Sequence, residues 1–184
     1  MKPDFNHVVD ELSLLRVLHP FKPCVIGTPP LNLDVDLSDI DIACSAEDLS
    51  HFRHYSHQNF GKLNGYQCYD STAQNLPAVM VQFHALGWDI ELFCQTIPTE
   101  QQWGVRHFRI EQRLLELEPS LRIAVQQLKH RGIKTEPAFA KILGLEGDPY
   151  IALLELEQIC DGFQPACCHL NLQQLISTHL PNSL

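Results

Sequence analysis

Two aspartates separated by one isoleucine, Asp39-Ile40-Asp41, stand twelve residues after Gly27-Thr28 and ahead of a second acidic stretch, Trp88-Asp89-Ile90-Glu91-Leu92. In a strand, side chains at i and i+2 share a face, so Asp39 and Asp41 present both carboxylates to one spot while Ile40 packs inward. Carboxylates paired in this way suit hard divalent cations. Two such ions about 3.5 to 4 Å apart clamp both the attacking and the leaving oxygen of a phosphoryl displacement. A lone Asp-x-Asp is also what a solvated edge strand with alternating acids looks like. The Gly-Thr pair before it and the apolar-flanked acids after it favour the site.

The elements that must position these residues can be read from periodicity and punctuation. Asn6 is placed to cap a first helix with Val8, Leu12 and Leu15 on one face, closed by Pro20 and Pro23. Residues 24–26 form a short apolar strand ending at Gly27-Thr28, and residues 40–44 form a second. Ser45 with Asp48 matches a capping box, which predicts a helix over 46–59 that stops at Gly61. Strands follow at 66–71 and 79–86, then a tight turn near Gly87 and a hairpin partner at 89–94.

After Pro98 the pattern turns helical. Thr99 and Gln102 match another capping box, with Trp103, Phe108 and Leu115 as an apolar stripe. Pro119 opens a further helix that Gly132 ends, 137–143 is short, and Asp148-Pro149 opens one that runs to about Cys160. A last helix is expected over 172–180. The fold class is mixed α/β (α+β): a mixed sheet with flanking helices over 1–98, and a helical C-terminal layer over 99–184 packed on it, the whole forming one compact unit.

Composition narrows the function classes. A chain of 184 residues can bury about 70% of its unfolded surface, enough for one substantial core or two intimately packed lobes. It shows no basic segment followed by an apolar core at its start and no long apolar run, so neither export nor a membrane span is expected and a cytoplasmic setting is. Seven cysteines, four of them within predicted strands, read as reduced core thiols. Net charge is −9, yet Arg106 to Lys141 holds eight basic residues against four acids, leaving that stretch at +4 and the remainder at −13. Such a balance argues against duplex DNA, whose affinity rests on neutralising many phosphates, and favours a small phosphorylated ligand.

The combination Ile26-Gly27-Thr28, Asp39-Ile40-Asp41 and Ile90-Glu91-Leu92 resembles the signature of the polymerase-β-like nucleotidyltransferase superfamily. Within it, Gly27-Thr28-Pro29-Pro30-Leu31, Ser38-Asp39-Ile40-Asp41-Ile42, Glu91-Leu92-Phe93, Arg106-His107, Glu111-Gln112-Arg113-Leu114-Leu115 and Lys134-Thr135-Glu136-Pro137-Ala138-Phe139 are similar to a bacterial family known as domain of unknown function 4269. That likeness extends through about Leu154.

The superfamily resemblance implies two Mg2+ ions, for which Mn2+ can substitute. Asp39 and Asp41 would bind both, and a third acid would hold the ion that activates an incoming hydroxyl. Asp89 and Glu91 share a face and both have apolar neighbours, so the residues alone leave either open; the family likeness, which runs Glu91-Leu92-Phe93, selects Glu91. Gly27 would let the backbone approach the phosphates of a nucleoside triphosphate while the Thr28 hydroxyl donates to them. Pro29 and Pro30 remove two amide donors there, so Arg113, Lys129 and Lys134 are candidates to supply the missing positive charge.

The implied reaction is transfer of a nucleoside monophosphate to a hydroxyl on a small molecule or a protein side chain, with an RNA end disfavoured by the bulk negative charge. The rival reading is a non-catalytic module that senses a nucleotide or binds another protein. Two other patterns carry less. His51, His54 and His57 recur every three residues on a helix, whereas zinc prefers i and i+4 pairs. Cys160 with Cys167-Cys168-His169 lacks a Cys-x-x-Cys spacing. No Gly-x-Ser-x-Gly elbow and no P-loop is present, so hydrolase triads and P-loop chemistry are unsupported.

Overall fold

The structure, a computed structural model, describes residues 2–157. It is mixed α/β, and the chain divides into two compact units, one of Met1–Pro30 with Asp36–Val105, the other of Leu31–Val35 with the chain from Arg106 onward.

The first unit carries a five-stranded sheet. Its strands are β1 (Cys24–Ile26), β2 (Ile40–Ser45), β3 (Asn64–Ala73), β4 (Leu76–Ala85) and β5 (Trp88–Gln95), in the order β1-β2-β5-β4-β3. β2 and β5 run parallel and every other pair is antiparallel. One face is the core: Ile40, Ile42 and Cys44, Val79, Val81 and Phe83, and Ile90, Leu92 and Cys94 are all buried. Helices α1 (Phe5–Glu11), α2 (Leu14–Leu18) and α3 (Leu49–Phe60) add Val8, Leu14, Leu18, Phe52 and Phe60 to that cluster. Cys24, Cys44, Cys68 and Cys94 are thiols outside any disulfide, and burial pushes Cys94 up to about 12.

Two tight turns fix the register. Gln74-Asn75 joins β3 to β4 and Leu86-Gly87 joins β4 to β5, each with both residues at positive φ, the backbone twist that two-residue hairpins favour. The hairpin strands are therefore longer than their apolar patterns suggested.

Three capping assignments change, each for its own reason: an earlier residue caps instead, the residue belongs to a strand, or its side chain is taken by a distant carbonyl. The first helix is capped by Asp4, whose carboxylate accepts the Asn6 N–H at 2.8 Å, and it breaks at Ser13, which adopts a left-handed conformation. Ser45 stays in β2 opposite Gln95, and Asp48 alone caps α3 through the Ser50 N–H. Thr99 donates its hydroxyl to the Lys22 carbonyl at 2.9 Å and Gln102 its amide to the Cys44 carbonyl at 2.7 Å, so no capping box forms. α4 (Trp103–Leu117) starts beyond them, the Trp103 N–H capped by Gln74 Oε1 at 2.9 Å.

The second unit is helical, built from most of α4 with α5 (Leu121–His130), α6 (Thr135–Leu143) and α7 (Pro149–Glu155). Leu31, Leu33, Ile110, Leu114, Leu121, Val125, Phe139 and Leu153 form its own core. α7 has the expected start, Asp148 accepting the N–H groups of Tyr150 and Ile151 ahead of Pro149. Among the described residues no helix is long and apolar enough to cross a membrane. The expected helix over 172–180, the end of the one running to Cys160, and the Cys160, Cys167, Cys168 and His169 set lie outside the described residues.

Candidate active site

The face of the sheet opposite the core is where the acids converge. Because Ile40 and Ile42 must point into the apolar cluster, Asp41 between them points out, and the same alternation in β5 puts Glu91 outward between Ile90 and Leu92. The parallel register sets Asp41 beside Glu91. With Asp39, just ahead of β2, they form a group whose ligand oxygens all lie within 4.8 Å of one another, each side chain partly buried. Among the described residues it is the only such cluster of three or more His, Cys, Asp or Glu.

Register continues this row across all five strands: Ile26 opposite Asp41, Asp41 opposite Glu91, Glu91 opposite Gln82, and Gln82 opposite Gln67. Gln82 donates its side-chain amide to Glu91 Oε1. The third acid is thus held in place by a neutral donor from the neighbouring strand.

Gly27 is explained by its neighbour. Its φ is +80°, and a Cβ there would overlap Asp41 Oδ2, so any larger residue would displace that carboxylate. Thr28 is buried and donates its hydroxyl to Ser38 Oγ at 3.1 Å, linking the turn after β1 to the residue before Asp39. Lys2 donates to the Ser38 carbonyl at 2.9 Å and sits over the Trp88 ring. Pro29–Leu31 is a turn of 3-10 helix.

The remaining candidates have other surroundings. Asp89 pairs with His84 Nδ1 at 3.0 Å and is largely exposed. Arg113, Lys129 and Lys134 belong to the second unit. There Arg113 pairs with Glu116 at 3.1 Å, Lys129 donates to Thr135 Oγ1 at 3.0 Å, and Lys134 is exposed at the start of α6. Of the histidine stripe, His51 packs on Phe21 and Tyr55, His54 meets Gln58, and His57 packs on Tyr66. Sequence reasoning missed Gln82. Its signal was positional: counting back from the Gly87 turn places it opposite Glu91.

Two clefts flank the acids. One, of about 240 Å3, is walled by Ile26, Met80, Phe93 and Trp103 with Asp41 and Glu91 at its edge. The other, of about 300 Å3, contains Asp39, Glu91, Gln67, Gln82, His84 and Asp89. Glu91 lines both.

The sequence profile of the family described as domain of unknown function (DUF4269) matches residues 7–156. The chain belongs to that family. No curated protein matches this DUF4269 member. Among solved structures, the MgGTP-bound Cid1 poly(U) polymerase superposes with a TM-score of 0.53 at 10% identity, covering 82% of this chain and 47% of that one. A Cid1 variant bound to MgATP gives 0.52 at 13% identity over 88% and 51%. The GLD-2/RNP-8 complex gives 0.50 at 14% identity over 97% and 65%. The DUF4269 chain thus spans about half the length of the first structures it matches. What is shared is the fold, and it is nucleotidyltransferase-like.

The three carboxylates suit a hard cation by chemistry: anionic oxygens from two adjacent strands and the residue just ahead of one of them, close enough to share an ion. The absence of a Cβ at Gly27 leaves room for the Asp41 oxygen.

Proposed function

We propose that this DUF4269 protein transfers a nucleoside monophosphate from a nucleoside triphosphate to a hydroxyl acceptor and releases pyrophosphate. The observation that carries the reading is the convergence of Asp39, Asp41 and Glu91 on the open face of a nucleotidyltransferase-like sheet. Mutually repelling carboxylates held together cost stability, and a ligand cation offsets that cost.

Asp39, Asp41 and Glu91 would hold Mg2+, which when bound supplies charge stabilisation to the transferring phosphoryl group. The Cid1 complexes with GTP and ATP carry Mg2+, which favours it over other ions. Glu91, to which Gln82 donates, would help to take the acceptor's proton. Gly27 clears the backbone beside Asp41 for phosphate oxygens, and the Thr28–Ser38 hydrogen bond holds that turn against the Asp39 segment.

The engaged Thr28 hydroxyl and the two proline nitrogens beside it favour a second reading, a module that senses nucleotide without turnover. Thermal unfolding with each nucleoside triphosphate, with and without Mg2+, separates the two. Ligand at about 100 times its Kd adds roughly 2.7 kcal/mol, a shift of about 5 to 10 °C at this length. A Mg2+-dependent shift that Asp41→Asn abolishes is the expected result. A shift indifferent to metal and to that substitution selects the sensing module, and no shift with any nucleotide rejects both.

A further inference from the structure

The two clefts beside the acids differ in chemistry, and the difference bears on the acceptor. We infer that the cleft over β4 and β3 is the acceptor site and that it takes a neutral, polyhydroxylated small molecule, sugar-like or cyclitol-like. This rests on the transferase reading above.

The cleft shares Asp39 and Glu91 with the acid group, so a hydroxyl bound in it lies beside the residue placed to take its proton. No lysine or arginine is among the described residues that line it, and Asp89 adds a further carboxylate. A polyanionic acceptor would meet negative charge with no fixed cation to offset it. A cationic acceptor fares little better: the group of three acids is committed to metal, and Asp89 is paired with His84 at 3.0 Å.

What the cleft does offer is a mixed set of neutral donors and acceptors. Gln82 gives one amide N–H to Glu91, leaving a second N–H and its carbonyl oxygen. The Gln67 side chain is exposed, and a β-bulge lies immediately before it: Asn64 pairs with His84 and Gln67 with Gln82, so β3 carries one residue more than β4, with Gly65 at φ +67°. Bulges re-aim the side chains beside them. His84 Nε2 and the second Asp89 oxygen complete the set. Hydroxyl groups both donate and accept, so a ring bearing several of them satisfies such a wall from either side. Leu37 on the rim is 95% exposed and presents an apolar surface to the C–H face of such a ring. The volume, about 300 Å3, lies at the small end of ligand pockets, which run about 300 to 1,000 Å3.

In the reaction an acceptor hydroxyl oxygen bonds to the α-phosphorus and the P–O bond to the α–β bridging oxygen breaks. Pyrophosphate leaves with that electron pair, and the hydroxyl proton passes to Glu91 and on to solvent.

The test uses the full chain with Mg2+ and α-labelled nucleoside triphosphates. The acceptor probes are a neutral set (glucose, mannose, ribose and myo-inositol) and, in parallel, a short oligoribonucleotide with a free 3′ hydroxyl. Label should pass to a neutral probe and not to the oligonucleotide, and Gln67→Ala should raise the KM for that probe about tenfold or more. Saturation-transfer NMR with a non-hydrolysable nucleotide gives a second readout, in which the probe's signal should weaken in the variant. Transfer to the oligonucleotide alone, an acceptor KM unmoved by Gln67→Ala, or no binding of any neutral probe overturns the inference. Mg2+-dependent nucleotide stabilisation, measured in the same samples, tells the failures apart: if it persists, only the acceptor assignment falls, and if it is absent the transferase reading falls with it.

Discussion

Each unit gathers carboxylates, and the two gatherings are built on opposite plans. In the first, Asp39, Asp41 and Glu91 stand together, partly exposed, at the border of two clefts and with Gln82 as a neutral support. In the second, Glu111 is buried on α4 with Oε1 lacking any hydrogen-bond partner. His107, one turn earlier, meets the Tyr150 carbonyl at 2.9 Å and lies 3.9 Å from Glu136. Burial, and then the charge of Glu136, push the Glu111 carboxyl well above the usual range, with Lys129 pulling the other way. The lesson is that acidity alone does not mark a site. A cluster open to a cleft leaves room for a ligand between its carboxylates, whereas burial beside Glu136 disfavours the charged form of Glu111.

That contrast can be broken by experiment. The largest effect is expected from Asp39→Asn, which should lower nucleotidyl transfer by about 10^3-fold or more, since metal-borne charge stabilisation is worth several kcal/mol. Its unfolding temperature without ligand should stay level or rise, because one of three like charges has gone. A lower temperature would mean the acids are structural. Gln82→Ala keeps every acid but removes the support of Glu91. Losing such a partner typically costs about 10- to 100-fold in metal affinity, which titration of Mg2+ or Mn2+ would read.

Glu111→Gln should act only on stability. A carboxyl whose folded pKa is raised binds its proton more tightly folded than unfolded, so stability falls as pH rises from the ordinary carboxylate range through the raised folded value. The variant should therefore gain on the wild type as pH increases, seen as a widening difference in unfolding temperature with transfer activity unchanged. An activity loss there would join the second unit's acid to the chemistry. The smallest effect belongs to Arg106, whose Nε lies 3.0 Å from Glu157 in a partly exposed pair that holds the Glu157 carboxyl below its usual range. Its contribution is present above the ordinary carboxylate range and fades as pH falls through the lowered folded value. Arg106→Gln should cost no more than about 1 kcal/mol in chemical denaturation at neutral pH.

The site's acids were legible because alternation is local: Ile40 and Ile42 could face only the core, so Asp41 could face only away. Alternation could not separate Asp89 from Glu91, which share a face; strand register groups Glu91 with the pair and leaves Asp89 to His84. The elements and the mixed sheet were legible for the same local reason. The helix starts at Ser45 and Thr99 were not, because the groups that decided them lie far along the chain: Gln95 across the sheet from Ser45, the Lys22 carbonyl for Thr99. Gln82 escaped notice because an amide gains meaning only from the residue opposite it.

The Leu86-Gly87 turn gives that last point a practical edge. Ala85 and Trp88 are its closing pair, Gln82 lies three residues before the one and Glu91 three after the other, so the turn works as a caliper that measures both arms equally. An added residue taken up by the strands instead of the loop would leave every residue of the row in the chain, yet turn Phe83 or Ile90 out of the core and leave Glu91 without its amide. Insertions should be tolerated poorly here, at a surface turn where chains ordinarily vary most freely.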